Sequence, residues 1–373
     1  MKKSISIFVS TFIFLNLILF NGVFSSAESA SYEKQYLVGF YSEIDETLIK
    51  EAGGKIKKKY KYMPVVSVEM TDSAALEITK DINVEYVEED GSIKASGQST
   101  PWGVFSINAT TVQENSISGK ATKIGIVDTG IDYTHEDLFV VGGETFVEGT
   151  LDYNDDNGHG THVAGIVAGL NNDKGVLGVA PNVELYAIKV LDINRNGNYS
   201  DLIAGIEWAV SNNLDIVNMS LGGNTHSKAL EKALKNAYKS GVLLVAAAGN
   251  NGYDKKGSID YPAKYESVIA VGAIDKENNI YTRSSVGNKL ELVAPGVDVF
   301  STIPGGYDFN SGTSMASPHV AGVAALILEK KPELTNVAVR KIINKTATPL
   351  NDSFIFGNGL VDAISAINYL NEK

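Results

Sequence analysis

The stretch KIGIVDTG at residues 123–130 is an unbroken apolar run that ends in an aspartate, a threonine and a glycine. A strand buried on both faces has this pattern, whereas a strand with one wet face alternates apolar and polar residues. Four later runs share it: VELYAIKVL at 183–191, LDIVNMSL at 214–221, GVLLVAAAGN at 241–250 and VIAVGAI at 268–274. Helical patterns separate some of them, at 200–212 and 228–241. We therefore predict a doubly wound parallel α/β sheet with helices on both faces and functional residues at the carboxyl ends of its strands.

A smaller unit is predicted upstream, at residues 36–90. Its apolar runs and helical patterns follow the order strand, helix, two strands, helix and strand, which predicts a small α+β domain. The polar residues from Asp90 to Thr100 fit a linker. The lysines at 55–61 could form an anion site, but their alternation with Ile56 and Tyr60 favours a solvated strand face.

The composition is that of a soluble, folded protein, because 44% of the 373 residues are apolar and 20% are charged. A net charge of −12 argues against a nucleic-acid-binding surface. At the N-terminus, two lysines precede an apolar run from Ile5 to Phe20, and small residues follow to Ala27. This layout predicts a signal peptide over residues 1–27, and hence a secreted, extracellular protein with no stable membrane association. Since the chain has no cysteine, packing or bound ions must stabilise it.

Four polar side chains stand at the ends of predicted elements. Asp128 ends the first apolar run and Asn250 ends the fourth. His159 lies between glycines, before the apolar stretch THVAGIVAGL, and Ser314 stands where a long apolar helix begins. Acyl transfer needs a nucleophile, a base, a carboxylate that orients the base and donors for the oxyanion. The four residues supply these parts and predict a hydrolase with a serine nucleophile.

Each of these residues also has a simpler interpretation. DTG at 128–130 resembles the aspartic-protease motif, but those enzymes need two such carboxylates and this chain has one copy. Ser314 could be a helix N-cap, and Asn250 could belong only to a turn. His159 and His162 could both bind a metal, although the glutamate of an H-E-x-x-H helix is missing.

In the order Asp, His, Ser, the motifs resemble those of the subtilisin family of secreted serine proteases. The resemblance covers nearly the whole chain and rests on IVDTGID at 126–132, GHGTHVAGIVAG at 158–169 and GTSMASPHVAG at 312–322, with NMSLGG at 218–223 and AAAGN at 246–250. It implies that His159 is the base for the Ser314 nucleophile and that Asp128 orients the imidazole. It further implies that the Asn250 amide and the Ser314 N–H bind the oxyanion.

The resemblance also implies how a protein or peptide substrate binds. An extended peptide would pair with two segments whose glycines let backbones approach, which gives main-chain recognition and broad sequence tolerance. The residues concerned are Ser220, Leu221, Gly222, Gly223, Gly197 and Tyr199. His162 and His319 are left with structural roles in the interior.

Two accessory features are implied as well. Residues 28–96 resemble a ferredoxin-like propeptide that acts as an intramolecular inhibitor and folding helper, which leaves 97–373 as a catalytic domain, expected to be monomeric. A structural calcium ion is implied, since oxygen ligands spread along a chain suit calcium. Its ligands would be the side chains of Gln98, Asp137 and Asn172 and the carbonyls of Leu170, Lys174 and Val176. The alternative is that residues 170–178 form only a loop.

One position departs from the family. Where its members commonly carry glycine, at the floor of the pocket for the residue before the scissile bond, this chain has Asp260. A carboxylate there should attract Lys or Arg, and the precursor could be cut after Lys94 or after Ser96. The preceding loop is one residue shorter than usual, so Asp260 could instead pair on the surface with Lys255, Lys256 or Lys264.

Two other functions stay open at this stage. One is a binding module whose catalytic set is inert, and the other is a zinc hydrolase that uses His159 and His162. Casein hydrolysis tested with a serine-directed covalent inhibitor and with phenanthroline separates all three.

Overall fold

The computed structural model describes residues 33–91 and 97–372, which fall into two compact units. The predicted signal peptide and both candidate processing positions, after Lys94 and after Ser96, lie outside the described residues. In neither described range is there a helix long and apolar enough to span a bilayer.

The first unit is an antiparallel sheet with two helices and has the predicted α+β arrangement. Its elements are β1 (Glu33–Phe40), α1 (Glu46–Glu51), β2 (Lys55–Lys59), β3 (Val65–Thr71), α2 (Asp72–Ile78) and β4 (Val84–Glu89). The strand order β2-β3-β1-β4 is that of a ferredoxin-like sheet, as expected. Its core is its own and includes the fully buried side chains of Val38, Ile49, Val66 and Val68. The lysines of β2 are mostly exposed, as the alternation predicted.

The second unit is built on a seven-stranded parallel sheet. The strands are β5 (Lys123–Asp128), β6 (Val140–Thr145), β7 (Glu184–Lys189), β8 (Ile216–Met219), β9 (Leu243–Ala247), β10 (Ile269–Ile274) and β11 (Leu292–Pro295). They lie in the order β11-β10-β9-β8-β5-β7-β6, and every pair is parallel. A hairpin of β12 (Val299–Ile303) and β13 (Gly306–Asn310) follows. The predicted parallel α/β fold is therefore confirmed.

Helices flank this sheet. They are α3 (Trp102–Ser106), α4 (Ala109–Glu114), α5 (His159–Ala168), α6 (Tyr199–Ser211), α7 (Lys228–Lys239), α8 (Thr313–Lys330), α9 (Asn336–Thr346), α10 (Ser353–Phe356) and α11 (Ala363–Asn371). α7 is amphipathic and buries Leu230, Leu234 and Ala237 at helical spacing. α8 is apolar on all sides and is buried from Met315 to Ile327, where it packs against β8, β9, β10 and β11.

The order of the strands shows at which point of the sheet a functional crevice is expected. The chain leaves β5 for β6 and β7 on one side, and later returns to build β8 to β11 on the other. The order therefore reverses between β5 and β8, and in such sheets a crevice opens outside the carboxyl ends of the strands at this point. Asp128 ends β5 and Ser220 follows β8, so both stand at the crevice.

The predicted linker is shorter than expected. Residues 98 and 99 already belong to the second unit, because the Ser99 N–H donates to the Gly175 carbonyl at 2.7 Å and the Leu177 N–H donates to the Ser99 carbonyl at 2.9 Å. Sequence polarity suggested a free segment, but this strand-like pairing satisfies its backbone groups.

Candidate active site

A cleft of about 650 Å³ opens at the carboxyl ends of the central strands. His159, Asn250 and Ser314 all line it, although they are far apart in sequence. The walls also contain every residue predicted to contact substrate: Ser220, Leu221, Gly222, Gly223, Gly197, Tyr199 and Asp260. Asp128 lies beneath His159 and is fully buried.

Asp128 and His159 form a hydrogen-bonded pair. The Nδ1 atom of His159 lies 2.7 Å from Oδ1 of Asp128, which also accepts the Thr129 N–H at 2.7 Å. An ionised carboxylate can only accept, so Nδ1 carries the hydrogen and Nε2 is the free acceptor. His159 is the first residue of α5, two positions earlier than the predicted start at Thr161, and Gly158 precedes it with φ of 104°.

The carboxylate of Asp155 holds this pair in place. It accepts hydrogen bonds from the Thr129 hydroxyl at 2.8 Å, the Gly158 N–H at 2.9 Å and the Thr161 N–H and hydroxyl at 2.8 and 2.6 Å. The Thr129 hydroxyl in turn accepts the Gly160 N–H at 2.9 Å. Asp155 therefore caps α5 and joins it to the end of β5. Sequence reasoning missed this residue, although an acidic pair just before a helix was an available signal.

Lys189 is a second residue that the sequence analysis overlooked. It pairs with Asp128 across the sheet, and its side chain is only 1% exposed. The ammonium group donates to the Thr129 carbonyl at 2.5 Å, to Asp156 at 2.8 Å and to the Leu191 carbonyl at 3.1 Å. A buried cation with three acceptors fixes the loop after β5. The lone lysine in an apolar run was the sequence signal.

Ser314 is the second residue of α8, and Gly312 rather than Ser314 stands at its N-cap, so the N-cap interpretation is wrong. Pro318 has no N–H for the Ser314 carbonyl, and the Ser220 hydroxyl donates to that carbonyl at 2.8 Å instead. The Ser314 hydroxyl donates to the Ser220 carbonyl at 3.2 Å. Ser314 shares the cleft with His159, and in apo active sites the catalytic hydrogen bond often tightens only when substrate binds.

Asn250 is oriented by Thr313. The Asn250 side-chain oxygen accepts the Thr313 N–H at 3.0 Å and its hydroxyl at 3.3 Å, while that hydroxyl accepts the Gly249 N–H at 3.1 Å. Because a backbone N–H can only donate, the amide oxygen must be the atom that faces Thr313. The NH₂ group is therefore the free end of Asn250, available as a donor to the cleft beside Ser314.

The other two histidines near these motifs lie in the interior, as predicted. His162 is 1% exposed and its Nε2 donates to the Asp308 carbonyl at 3.2 Å, while His319 is fully buried and its Nδ1 donates to the Met315 carbonyl at 2.8 Å. Burial lowers the pKa of each to about 4, so both are neutral near pH 7.

The segments predicted to pair with substrate lie in the walls of the cleft that His159, Asn250 and Ser314 line. Gly223 and Tyr261 exchange two backbone hydrogen bonds of 2.8 Å, which places the 220–223 segment along one wall. In the other predicted segment, the Tyr199 hydroxyl donates to the Thr225 carbonyl at 2.6 Å.

The residues predicted to bind calcium also come together. Asp137 is fully buried, its Oδ1 has no hydrogen-bond partner, and burial raises its pKa. The Gln98 amide contacts the carbonyls of Leu170 and Val176, and the Asn172 side chain accepts the Lys174 N–H at 3.0 Å. A buried carboxylate oxygen without a partner, on a residue whose Oδ2 accepts the Val176 N–H at 2.7 Å, fits a hard cation.

A parallel α/β fold in which a buried aspartate–histidine pair, a serine at a helix N-terminus and an oriented amide meet at one cleft defines a serine hydrolase. Comparison with known protein families identifies which serine hydrolases this chain belongs to. The chain belongs to the subtilase family, whose model matches residues 119–359. It is accordingly a serine endopeptidase.

Individual relatives extend the similarity beyond that segment. Subtilisin NAT of Bacillus subtilis subsp. natto is 47% identical over 351 residues, which cover 91% of this chain and 92% of the relative. Subtilisin DY of Bacillus licheniformis is 55% identical over 271 residues, 72% of this chain and 99% of the relative. An alkaline protease of Alkalihalobacillus alcalophilus is 43% identical over 386 aligned positions, 98% of this chain and 100% of the relative.

Proposed function

We propose that this serine endopeptidase acts through Asp128, His159 and Ser314, and that it is made as a secreted, self-processing zymogen. The observation that carries the catalytic part is the 2.7 Å hydrogen bond between His159 and the buried Asp128, in a cleft that Ser314 and Asn250 share. The leader-like residues 1–27 support secretion.

Acylation begins at Ser314. Its Oγ attacks the carbonyl carbon of the scissile bond and passes its proton to Nε2 of His159. Asp128 stabilises the imidazolium that forms. When the tetrahedral intermediate collapses, the C–N bond breaks and His159 returns the proton to the leaving amine. Water then repeats these steps on the acyl-enzyme, and Ser314 is released.

The oxyanion is stabilised by two donors. One is the NH₂ group of Asn250, which Thr313 orients. The other is the Ser314 N–H at the start of α8, where helix N–H groups lack internal partners and the helix dipole is positive. Donors fixed before the reaction act on charge that exists only in the intermediate, so they raise kcat more than they lower KM.

Protein substrates bind as an extended strand along Ser220–Gly223 on one side and the Asn196–Tyr199 segment on the other. Main-chain pairing depends little on side chains, so most substrate positions tolerate many residues. The mature enzyme is a monomer in this proposal, and its −12 precursor charge gives no reason to expect nucleic acid as a partner.

The proposal also assigns an inhibitory role to the propeptide and a stabilising role to a metal ion. Residues 28–96 serve as an intramolecular inhibitor, removed by cleavage after Lys94 or Ser96. A calcium ion, when bound, neutralises the buried Asp137 and ties three chain segments together. The residues that would hold it are Gln98, Asp137, Asn172, Leu170, Lys174 and Val176.

Casein hydrolysis tests this function against its alternatives. The mature enzyme should lose activity to a serine-directed covalent inhibitor and keep it in phenanthroline, and Ser314→Ala should be inactive and remain a precursor. An inert binding module would not hydrolyse casein at all. Sensitivity to phenanthroline alone would replace this proposal with the zinc hydrolase.

A further inference from the structure

Asp260 lies in the wall of the catalytic cleft and not on the outer surface. Its Cβ would be 3.1 Å from a Cβ placed on Gly222, and its Oδ2 lies so close to Gly249 that any side chain there would collide with it. Gly249 also has a φ of 109°, which disfavours other residues. The shorter loop has therefore not displaced Asp260, and its carboxylate rests against bare backbone next to Asn250.

This carboxylate is not neutralised by the neighbouring lysines. Lys264 lies over the ring of Tyr261, 5.5 Å from its centre, and Lys255 and Lys256 are exposed. Across residues 33–91 and 97–372, no ion pair includes Asp260. Burial raises the pKa of Asp260, while a hydrogen bond from Asn251 and the charge of Lys264 act in the opposite direction.

The catalytic groups determine which substrate residue meets Asp260. The scissile carbonyl must lie between the Ser314 hydroxyl and the Asn250 amide, while the chain that precedes it runs along the 220–223 segment. The side chain just before the scissile bond then enters the space between that segment and Gly249–Asn250. Asp260 lies at the edge of this space, because its side chain is close both to Gly222 on one wall and to Gly249 on the other.

We propose that Asp260 selects lysine or arginine as the residue before the scissile bond. A half-buried carboxylate at the end of a pocket recovers its lost hydration by pairing with a cation, and the long stems of Lys and Arg can reach it while their methylenes cover apolar wall. Arg195 and Arg283 also line the cleft, so the selection depends on the place of Asp260 and not on overall charge. This inference rests on the proposed function and adds the substrate class.

The first test uses the unaltered enzyme and peptides that differ only at the residue before the scissile bond. We expect kcat/KM to be about ten- to hundredfold higher for Lys than for norleucine, which keeps the four-carbon stem and lacks the ammonium group. Equal values for the two would overturn the proposal without any need for a variant to fold. If no peptide is cleaved at all, the proposed function fails and this inference fails with it.

The second test removes the charge and keeps the shape. Asp260→Asn should lose about ten- to hundredfold in kcat/KM on Lys and Arg peptides, with Phe and Leu peptides unchanged. Asp254→Asn, which removes an exposed carboxylate from the same loop, is the matched control and should rank peptides as the wild type does. For each variant, the concentration of active enzyme is measured by titration with a covalent serine-directed inhibitor. If the kcat/KM values of Asp260→Asn and of the wild type rank the Lys, Arg, Phe and Leu peptides in the same order, Asp260 does not determine which residue is preferred before the scissile bond.

Discussion

Asn250, the proposed oxyanion donor, is oriented by a residue that is distant in sequence. Its oxygen is fully engaged by the N–H and hydroxyl of Thr313, so its NH₂ group cannot rotate away from the cleft without breaking both bonds. The two residues are 63 positions apart in the chain. No local pattern shows this contact, although Asn250 and the motif that contains Thr313 were both predicted to lie at the site.

We expect Asn250→Ala to fold normally and to lose about 10²–10³ in kcat, the typical loss when one oxyanion donor is removed from a protease of this family. KM should change little, because the donor acts on charge present only in the intermediate. Steady-state kinetics on a peptide substrate check this. Asn251→Ala, which changes the adjacent amide, is the control, and an equal loss of kcat there would contradict the assigned donor.

At the residue scale, sequence motifs identified Asp128, His159, Ser314 and Asn250, and the structure brings them to one cleft. The motifs could not show Asp155 or Lys189 as their supports. Asp155 collects its donors from Thr129 and from residues 157–161, and Lys189 finds its acceptors on three different loops. These contacts exist only after β5, β7 and α5 have packed together.

Among the elements, α5 depends most on one carboxylate. Asp155→Ala would leave the hydroxyls of Thr129 and Thr161 and the N–H groups of residues 157, 158 and 161 without this acceptor, and each buried partner lost costs about 1–3 kcal/mol. We expect lower thermal stability together with a lower kcat, because His159 begins this helix. Thermal unfolding and steady-state kinetics measure the two effects. Asp152→Asn, an exposed carboxylate nearby, should change neither, and an unchanged kcat in Asp155→Ala would exclude a positioning role.

Continuous apolar runs predicted five of the seven parallel strands. The two that were missed have physical reasons for their weak signals. β6 lies at the edge of the sheet, is only partly buried and contains Gly142 and Gly143. β11 is four residues long and ends in Pro295, which is acceptable only because it too lies at an edge.

For the second unit as a whole, we expect calcium to raise the melting temperature by mass action, since binding to the folded state at 100 times Kd adds about 2.7 kcal/mol. Differential scanning calorimetry of the mature, covalently inhibited enzyme in chelator and in millimolar calcium measures this. Asp137→Asn should weaken the response. Asp173→Asn, in the same loop but exposed, should keep it. Identical melting curves in chelator and calcium for the wild type would refute the site.

Acid should also destabilise the second unit through its buried histidines. His162 and His319 have native pKa values of about 4, below the ordinary 6.5, so between these values the unfolded chain binds protons that the native state does not. Stability is then full above about pH 6.5 and falls as the pH is lowered to about 4, by roughly 1.4 kcal/mol for each unit of pKa shift. The melting temperature of the inhibited enzyme should drop across this range, and less so in His162→Leu. His226→Gln, an exposed histidine, is the control, and a drop of the same size in His162→Leu as in the wild type would contradict the assignment.

At the scale of the whole molecule, composition and periodicity predicted two folded units and the fold of each. They could not predict the pairing of Ser99 with Gly175 and Leu177, because a polar segment gives no indication of which backbone it will meet.

The central claim is that Ser314, activated by His159, is the nucleophile of this endopeptidase. The most direct measurement is peptide mass spectrometry of the enzyme after reaction with a serine-directed organophosphorus reagent. We predict one label per molecule, on Ser314, formed as activity is lost, and no label on folded His159→Ala over the same time. A label on another residue, or full loss of activity with Ser314 unmodified, would contradict the account.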